Sequence, residues 1–400
     1  MTDSRRILEM AENLQEKLVE NRRHLHGNPE LFMELPMTVK FVQEKLSDLG
    51  IESRNVGGGV VANIGNPEKG KTILLRADMD ALPIEEETGL PFSAQGKAMH
   101  ACGHDVHTSL LLGAAEILKS MEDEIPGNVK LMFQPGEEVL SGAKAMVQEG
   151  VLENPQVHGA MMIHVFSGLD IEPGKVLVPK EGAASMAPDE FHINIQGKGG
   201  HGAMPHTAVD PLNIAAHTHI ALQEMISREI KPGEKALCVV GHMSGGDAGN
   251  VVPDKAKLIG VIRTMNPETR EFLKDRLVQI SKGVASTFRG EADVQYTIQC
   301  PSVINDPIMR QKGMEYAKEM FGDENVLPLD GYMDDGMLSG SEDFSFVSER
   351  VPSFMSIMSM GNTEDGYTYS HHHPKTDFDE KMFYRGAAYY AYYAVRWLQG

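Results

Sequence analysis

The segment MHACGHDVHT, residues 99–108, places three histidines, one cysteine and one aspartate in ten positions. Cys102 and His104 stand one residue apart, close enough to reach a shared ion from one loop. Thiolate and imidazole both suit borderline metals such as zinc, and carboxylates add harder oxygen ligands. Such oxygens stand in QPGEE, where Glu137 and Glu138 follow a Pro-Gly turn. Consecutive carboxylates point apart, so one is expected to ligate while the other faces the substrate. His164 closes the apolar run VHGAMMIHV, and SHHHPKTDFDE offers His371, His372 and His373. Asp78 and Asp80 follow another apolar run, in position to orient ligating histidines from behind.

Two other readings compete for the same loop. Cys102 as a nucleophile, with His104 or His100 as its base, is chemically permissible. It leaves Glu137, Glu138 and His164 without a task. A plain helix start, with Asp105 as N-cap, leaves the thiol beside histidines unexplained. His217 and His219 lie in a helical pattern and read as structural, while His24 and His26 sit at a helix end and are assigned no role.

The elements that must carry these residues follow from apolar spacing. The chain is expected to be helical to about residue 50, broken once at GNPEL. KTILLRADMDALPI holds a short strand over Thr72 to Leu75, and NVKLMFQ a strand that stops at Pro135-Gly136. HTSLLLGAAEILKSM and SGAKAMVQEG read as helices and VHGAMMIHV as a strand. This alternation predicts an α/β domain, a mixed and largely parallel sheet with helices on both faces. Each charged cluster sits just after a strand run, at the carboxyl edge where open α/β sheets bind ligands.

From about residue 188 the pattern changes. EFHINIQGK, DPLNIAAHTHIALQEMISRE, KALCVVGHMSGG, KAKLIGVIRTM, PETREFLKDRLVQISKGVAST and ADVQYTIQC read as strand, helix, strand, strand, helix, strand. That is the ferredoxin-like β-α-β-β-α-β order. The expected domains are residues 1–187 with 301–400, and an inserted domain over 188–300.

The bulk properties narrow the class. Of 400 residues, 41% are hydrophobic and 24% charged, ordinary for a globular protein. The formal net charge of −20 argues against nucleic acid or an anionic membrane as partner. The N-terminus reads as a charged amphipathic helix without the apolar core of a signal peptide, and no apolar run approaches a membrane span. Three dispersed cysteines, Cys102, Cys238 and Cys300, do not make a disulfide framework, so the expected location is cytoplasmic.

The motifs RRHLHGNPEL, RADMDALPI, MHACGHDVHT, FQPGEE, IHV, GGHGAMPH, GNVVPD, SGSEDFS and HHHPKTDFDE run in order over essentially the whole chain. As a set they resemble the metal-dependent aminoacylase and carboxypeptidase superfamily, in the branch of hippurate hydrolase, N-acetyl-amino-acid deacetylases and plant auxin–amino-acid conjugate hydrolases. The resemblance implies a di-metal peptidase fold and hydrolysis of the amide of N-acyl amino acids, with dipeptidase or carboxypeptidase action as the alternative and a non-catalytic binding relative a third reading. It implies metal ligands at Cys102, His104, Glu138, His164 and His372, and the general base at Glu137. Divalent ions, two per subunit, are expected: zinc or manganese, with cobalt or nickel as further options. Asp78 stands where peptidase branches carry a ligand histidine. In the inserted domain the resemblance makes His201 a catalytic contributor from a partner subunit, and Asn250 and Arg263 substrate contacts. Arg263 is suited to clamping a carboxylate. The implied assembly is a homodimer, with the inserted domain serving as lid and dimerisation surface.

Overall fold

The computed structural model describes residues 4–332, 336, 338 and 340–400; Ser339 of the SGSEDFS motif lies outside them. By internal contacts the chain divides into two units, residues 1–184 with 303–400 and residues 185–302. In chain order the first unit begins with α1 (Ser4–Glu12), α2 (Gln15–His26), α3 (Pro36–Asp48), β1 (Ser53–Val56), β2 (Gly59–Gly65) and β3 (Thr72–Asp78). It continues with α4 (His104–Ser120), β4 (Asn128–Gln134), α5 (Gly142–Gln148), β5 (Gly159–Phe166), β6 (Val176–Val178) and β7 (Gly182–Ala183). The second unit holds β8 (Ala187–Gln196), β9 (Gly200–His201), α6 (Pro211–Glu229), β10 (Ala236–Ser244), β11 (Val251–Val252), β12 (Lys255–Thr264), α7 (Pro267–Thr287) and β13 (Glu291–Gln299). The first unit resumes with β14 (Ile304–Asn305), α8 (Pro307–Phe321), β15 (Val326–Pro328), α9 (Ser345–Ser348), β16 (Ser353–Ser359) and α10 (Phe383–Leu398).

Among the described residues the main sheet runs β1-β2-β4-β3-β5-β16-β6-β15. Its centre, β4-β3-β5-β16, is parallel, while β1, β2 and β6 add antiparallel pairings. Strand period 2 assigns the two faces. Ile73, Leu75, Val129, Leu131, Met161 and Ile163 join one core with α4 and α10, whereas Leu74, Met132, Ala160 and Met162 join another with α5 and α9. Both faces are therefore covered, and the parallel strands bring the residues after Asp78, Gln134 and Phe166 to one edge.

Three local expectations are corrected. The N-terminal helical stretch breaks twice, also at Asn13–Leu14, where poor helix propensity at asparagine meets a turn. β3 does not stop at Leu75 but continues to Asp78. Arg76 extends it because the buried guanidinium is fully partnered: by Gln134 at 2.8 Å, Asp78 at 2.6 Å, Glu342 at 2.8 Å and Asp343 at 3.1 Å. Asp105 is not an N-cap. The cap position of α4 is Gly103, and Asp105 lies inside the first turn, facing Arg22 and His26.

The second unit forms the antiparallel order β10-β12-β8-β13. β12 alternates exposed or half-buried with buried residues, and Leu258 and Ile262 pack with Ile214, Leu222, Leu273 and Leu277 of α6 and α7. Asp210 and Asn266 cap those helices through their side chains, each followed by proline at the first helical position. A two-stranded β9–β11 ribbon stands beyond the sheet.

Candidate metal centre

Residues from four separated stretches of the first unit meet at its sheet edge. Gly103, between Cys102 and His104, has φ +87°. A Cβ there would lie 2.6 Å from Val165 Cγ2 and 2.9 Å from Phe378 Cζ, so only glycine fits. His104 donates from Nδ1 to the Asp80 carbonyl at 2.8 Å. In the neutral ring Nε2 then carries the lone pair, and that atom is buried and without a hydrogen-bond partner. That nitrogen nevertheless lies 3.6 Å from Asp78 Oδ2 and 3.9 Å from both Glu137 Oε2 and Glu138 Oε1. Glu138 Oε1 is likewise buried and unpartnered.

The remaining donors close the group. His164, on β5, donates from Nδ1 to the Val165 carbonyl and presents Nε2 to Cys102 Sγ at 3.7 Å. His372 has φ +63° and donates its backbone N–H to Ala101 at 3.0 Å, which fastens the C-terminal segment to the cysteine loop. Its Nε2 reaches Glu138 Oε2 at 3.5 Å. Cys102, His104 and His164 thus have ligand atoms within 4.8 Å of one another, as do Cys102, Glu138 and His372. Lone pairs facing lone pairs across a buried space are satisfied by cations, so these residues fit a metal centre.

Asp80 shapes this arrangement. Its carboxylate accepts from the backbone N–H groups of Glu137 at 2.9 Å and Glu138 at 3.1 Å, fixing the turn that presents both acids. Asp78 faces Arg76 and also accepts from His107 Nδ1 at 2.5 Å. His107 in turn accepts the Val165 N–H on Nε2 at 2.8 Å, so both of its nitrogens are used. The third histidine of the opening motif is a brace.

Electrostatics follow from burial. Burial, followed by Glu342 and Glu138, pushes the Glu137 carboxyl well above its ordinary range. Burial carries Glu138 up to about 7 against the pull of His104. Burial opposes a charge on His104, but Asp78 and its other neighbours outweigh it and raise the imidazole. The Cys102 thiol is pushed up by burial and by Glu138. A thiolate there, as ligand or as nucleophile, needs a cation beside it to offset that burial.

In the second unit, His201 pairs with Val251 across the β9–β11 ribbon, and Gly202 donates its N–H to the Asn250 carbonyl at 2.9 Å. His201 and Asn250 are therefore neighbours. Ala203 N–H donates to His201 Nδ1 at 3.0 Å, so in the neutral ring Nε2 carries the proton and is the free donor. Arg263 is not with them. It pairs with Pro188 near the start of β8, whose other end, Gln196, lies roughly 26 Å along the strand at 3.3 Å per residue; His201 follows that other end in the chain.

Comparison with known proteins gives the family. The family profile described as Peptidase family M20/M25/M40 matches residues 74–396. The chain belongs to that family. An N-acetyl-L-cysteine deacetylase of Bacillus subtilis is 34% identical, covering 96% of this chain and 88% of its own. A hippurate hydrolase of Campylobacter jejuni is 34% identical, covering 97% and 98%. A solved structure from B. subtilis, described as a dinuclear metal binding peptidase from the M20 family, is 30% identical with TM-score 0.80, covering 97% and 99%. The chain is a metal-dependent amidohydrolase.

The sequence reading missed the buried partners behind the centre. Arg76, Gln134, Glu342 and Asp343 form one network, and Asp343 also accepts from Gln134 and from Ala143 N–H. A signal was present in RADMD, as charges directly after the apolar run Thr72 to Leu75, but the pairing with Glu342 and Asp343 is not written locally.

Proposed function

We propose that Cys102, His104, Glu138, His164 and His372 hold a pair of divalent ions, zinc or manganese before cobalt or nickel, and that Glu137 is the general base. The reaction is hydrolysis of the amide of N-acyl amino acids, giving a free amino acid and a carboxylic acid. The observation that carries the site is the buried, unpartnered His104 Nε2 facing the equally unpartnered Glu138 Oε1. When bound, the ions supply Lewis acidity toward the amide carbonyl and lower the pKa of a water.

Glu137 takes the proton from the water that attacks the carbonyl carbon, then delivers it to the amine nitrogen as the C–N bond breaks. Asp80 keeps Glu137 and Glu138 aimed by holding both of their N–H groups. His201 Nε2–H suits donation to the carbonyl oxygen as negative charge develops there, Asn250 stands beside it, and Arg263 suits the substrate carboxylate. The separation of Arg263 from His201 within one copy supports a site completed by a second copy, hence a homodimer in which the second unit carries the shared residues and acts as a lid. No helix among the described residues is long and apolar enough to cross a membrane. A cytoplasmic enzyme with a small-molecule partner, and neither nucleic acid nor membrane, completes the reading.

The test is amino-acid release from N-acetyl and N-benzoyl amino acids and dipeptides by chelator-stripped protein, with zinc or manganese restored. Glu137→Gln should keep its metal and lose about 10²- to 10⁴-fold in turnover. Metal loss in proportion to activity would move Glu137 into the ligand set. Activity that survives verified metal removal would return Cys102 to the nucleophile reading.

A further inference from the structure

The RRHLHGNPEL motif plays no part in the chemistry above, yet it buries two cations. Arg22 and His26 stand four residues apart on α2, on one helix face, and both are fully buried. Arg22 donates from Nε to Asp105 Oδ2 at 2.9 Å, from Nη1 to Glu380 Oε1 at 3.0 Å and from Nη2 to Asp377 Oδ1 at 3.2 Å. His26 Nδ1 lies 2.8 Å from the same Asp105 Oδ2, and its Nε2 lies 3.1 Å from Glu86 Oε1. Both ring nitrogens face carboxylates, so the ring is an imidazolium donating twice.

Each partner belongs to a segment that carries, or is fastened to, a metal ligand. Asp105 follows His104 directly. Asp377 and Glu380 follow the His372 segment, and the Asp377 carbonyl accepts from Ser167, just past His164, at 2.7 Å. Beside Glu86, Glu87 donates its N–H to the Pro374 carbonyl at 2.8 Å. We propose that Arg22 and His26 are positioning residues that lock the Cys102–His104 loop to the His372 segment, and so set how tightly the protein retains its metal. This rests on the ligand assignment above. Burying ions is a poor route to stability alone; what the planar guanidinium adds is direction, three fixed donors aimed at three carboxylates. Neither residue touches a ligand atom, and the effect passes through Asp105, Asp377 and Glu380.

The test uses cobalt(II) as probe in the full chain, with affinity read by competition against a chromophoric chelator. Thiolate-to-cobalt absorption reports the Cys102 bond. Arg22→Lys and His26→Gln should bind cobalt 10- to 100-fold more weakly, about the range for outer partners of metal ligands. Their absorption should change, turnover should recover at saturating cobalt, and KM should hold. Arg23→Gln is the control: Arg23 pairs with the same Glu380 from a half-exposed position and should leave affinity unchanged. Affinity within twofold of the parent in both hub variants, whatever their melting temperature, would overturn the proposal. If Arg22→Lys does not fold, Asp377→Asn removes only one, more exposed arm; several-fold weaker binding supports the proposal and unchanged binding refutes it. Cys102→Ser and His372→Ala run alongside. If these retain cobalt, the ligand reading fails and takes the inference with it. If they lose cobalt while the hub variants keep it, the inference alone fails.

Discussion

Replacing Asp80 by asparagine changes one oxygen and one charge and leaves the backbone carbonyl that holds His104 intact. The carboxylate now accepts two consecutive backbone N–H groups, of Glu137 and Glu138. Asparagine offers one acceptor and turns an NH2 toward the other donor. One charge-assisted hydrogen bond is lost, at about 1.5–3 kcal/mol, and the other falls to neutral strength, near 1 kcal/mol. The combined cost is about 2–5 kcal/mol, borne by the turn that aims both acids. For a residue that orients ligand and base from behind, a 10- to 100-fold fall is about what displacement of this kind produces. The assay is turnover at saturating metal and substrate, with metal affinity and thermal unfolding measured on the same preparations. Asp80→Asn should lower kcat by that factor, weaken metal retention through Glu138 and leave KM nearly unchanged. Turnover and metal affinity both within twofold of the parent would refute the argument that Asp80 fixes the acid pair.

Two further outcomes follow from geometry away from the ligand atoms. Gly103→Ala should cost about 1–2 kcal/mol for a left-handed backbone and a further 1–3 kcal/mol or so for the clash with Val165 and Phe378. Gly89→Ala, at φ +72° with nothing within 4 Å, should cost only the backbone part, and equal melting temperatures would contradict the close-approach reading. Stability should also depend on pH through His26, which meets Asp105 and Glu86 directly, with Arg22 and His100 nearby. Burial opposes its charge, but the Asp105 and Glu86 carboxylates outweigh burial and raise it above 6.5. Burial likewise opposes ionisation of Glu86, but hydrogen bonds from His26 and Thr88 carry it down to about 2. The His26 contribution is therefore whole below pH 6.5 and lost as pH rises through the raised value. The Glu86 contribution is whole above 4.5 and lost as pH falls toward about 2. The melting-temperature gap between parent and His26→Gln should be widest between pH 4.5 and 6.5 and shrink on either side; a gap constant from pH 3 to 9 would refute it.

Residue type and order along the chain determined much of this protein. Cys102, His104, the Glu137-Glu138 pair and His164 stood out as candidate donors because thiolate, imidazole and carboxylate near strand ends are rare without a task; the family resemblance, not the residues alone, singled out Glu138 and His372. The ferredoxin-like unit was legible because β12 and its neighbours alternate with period 2 and the helices begin at Asp-Pro and Asn-Pro caps. What the tertiary structure alone decided concerns charges whose partners are distant in sequence. Arg76 looked like the end of a strand, yet it continues β3 because Glu342 and Asp343, more than 260 residues away, neutralise it. Asp105 looked like a cap, and the buried Arg22 and His26 pair with it instead. His107 stood level with His104 in the motif; its Nδ1 donates to Asp78 and its Nε2 accepts from Val165 N–H, which makes it a brace, while Nε2 of His104 is left unpartnered. Periodicity reports which side of an element faces the core. A buried charge takes its role from the group that neutralises it, and only folding brings that group near.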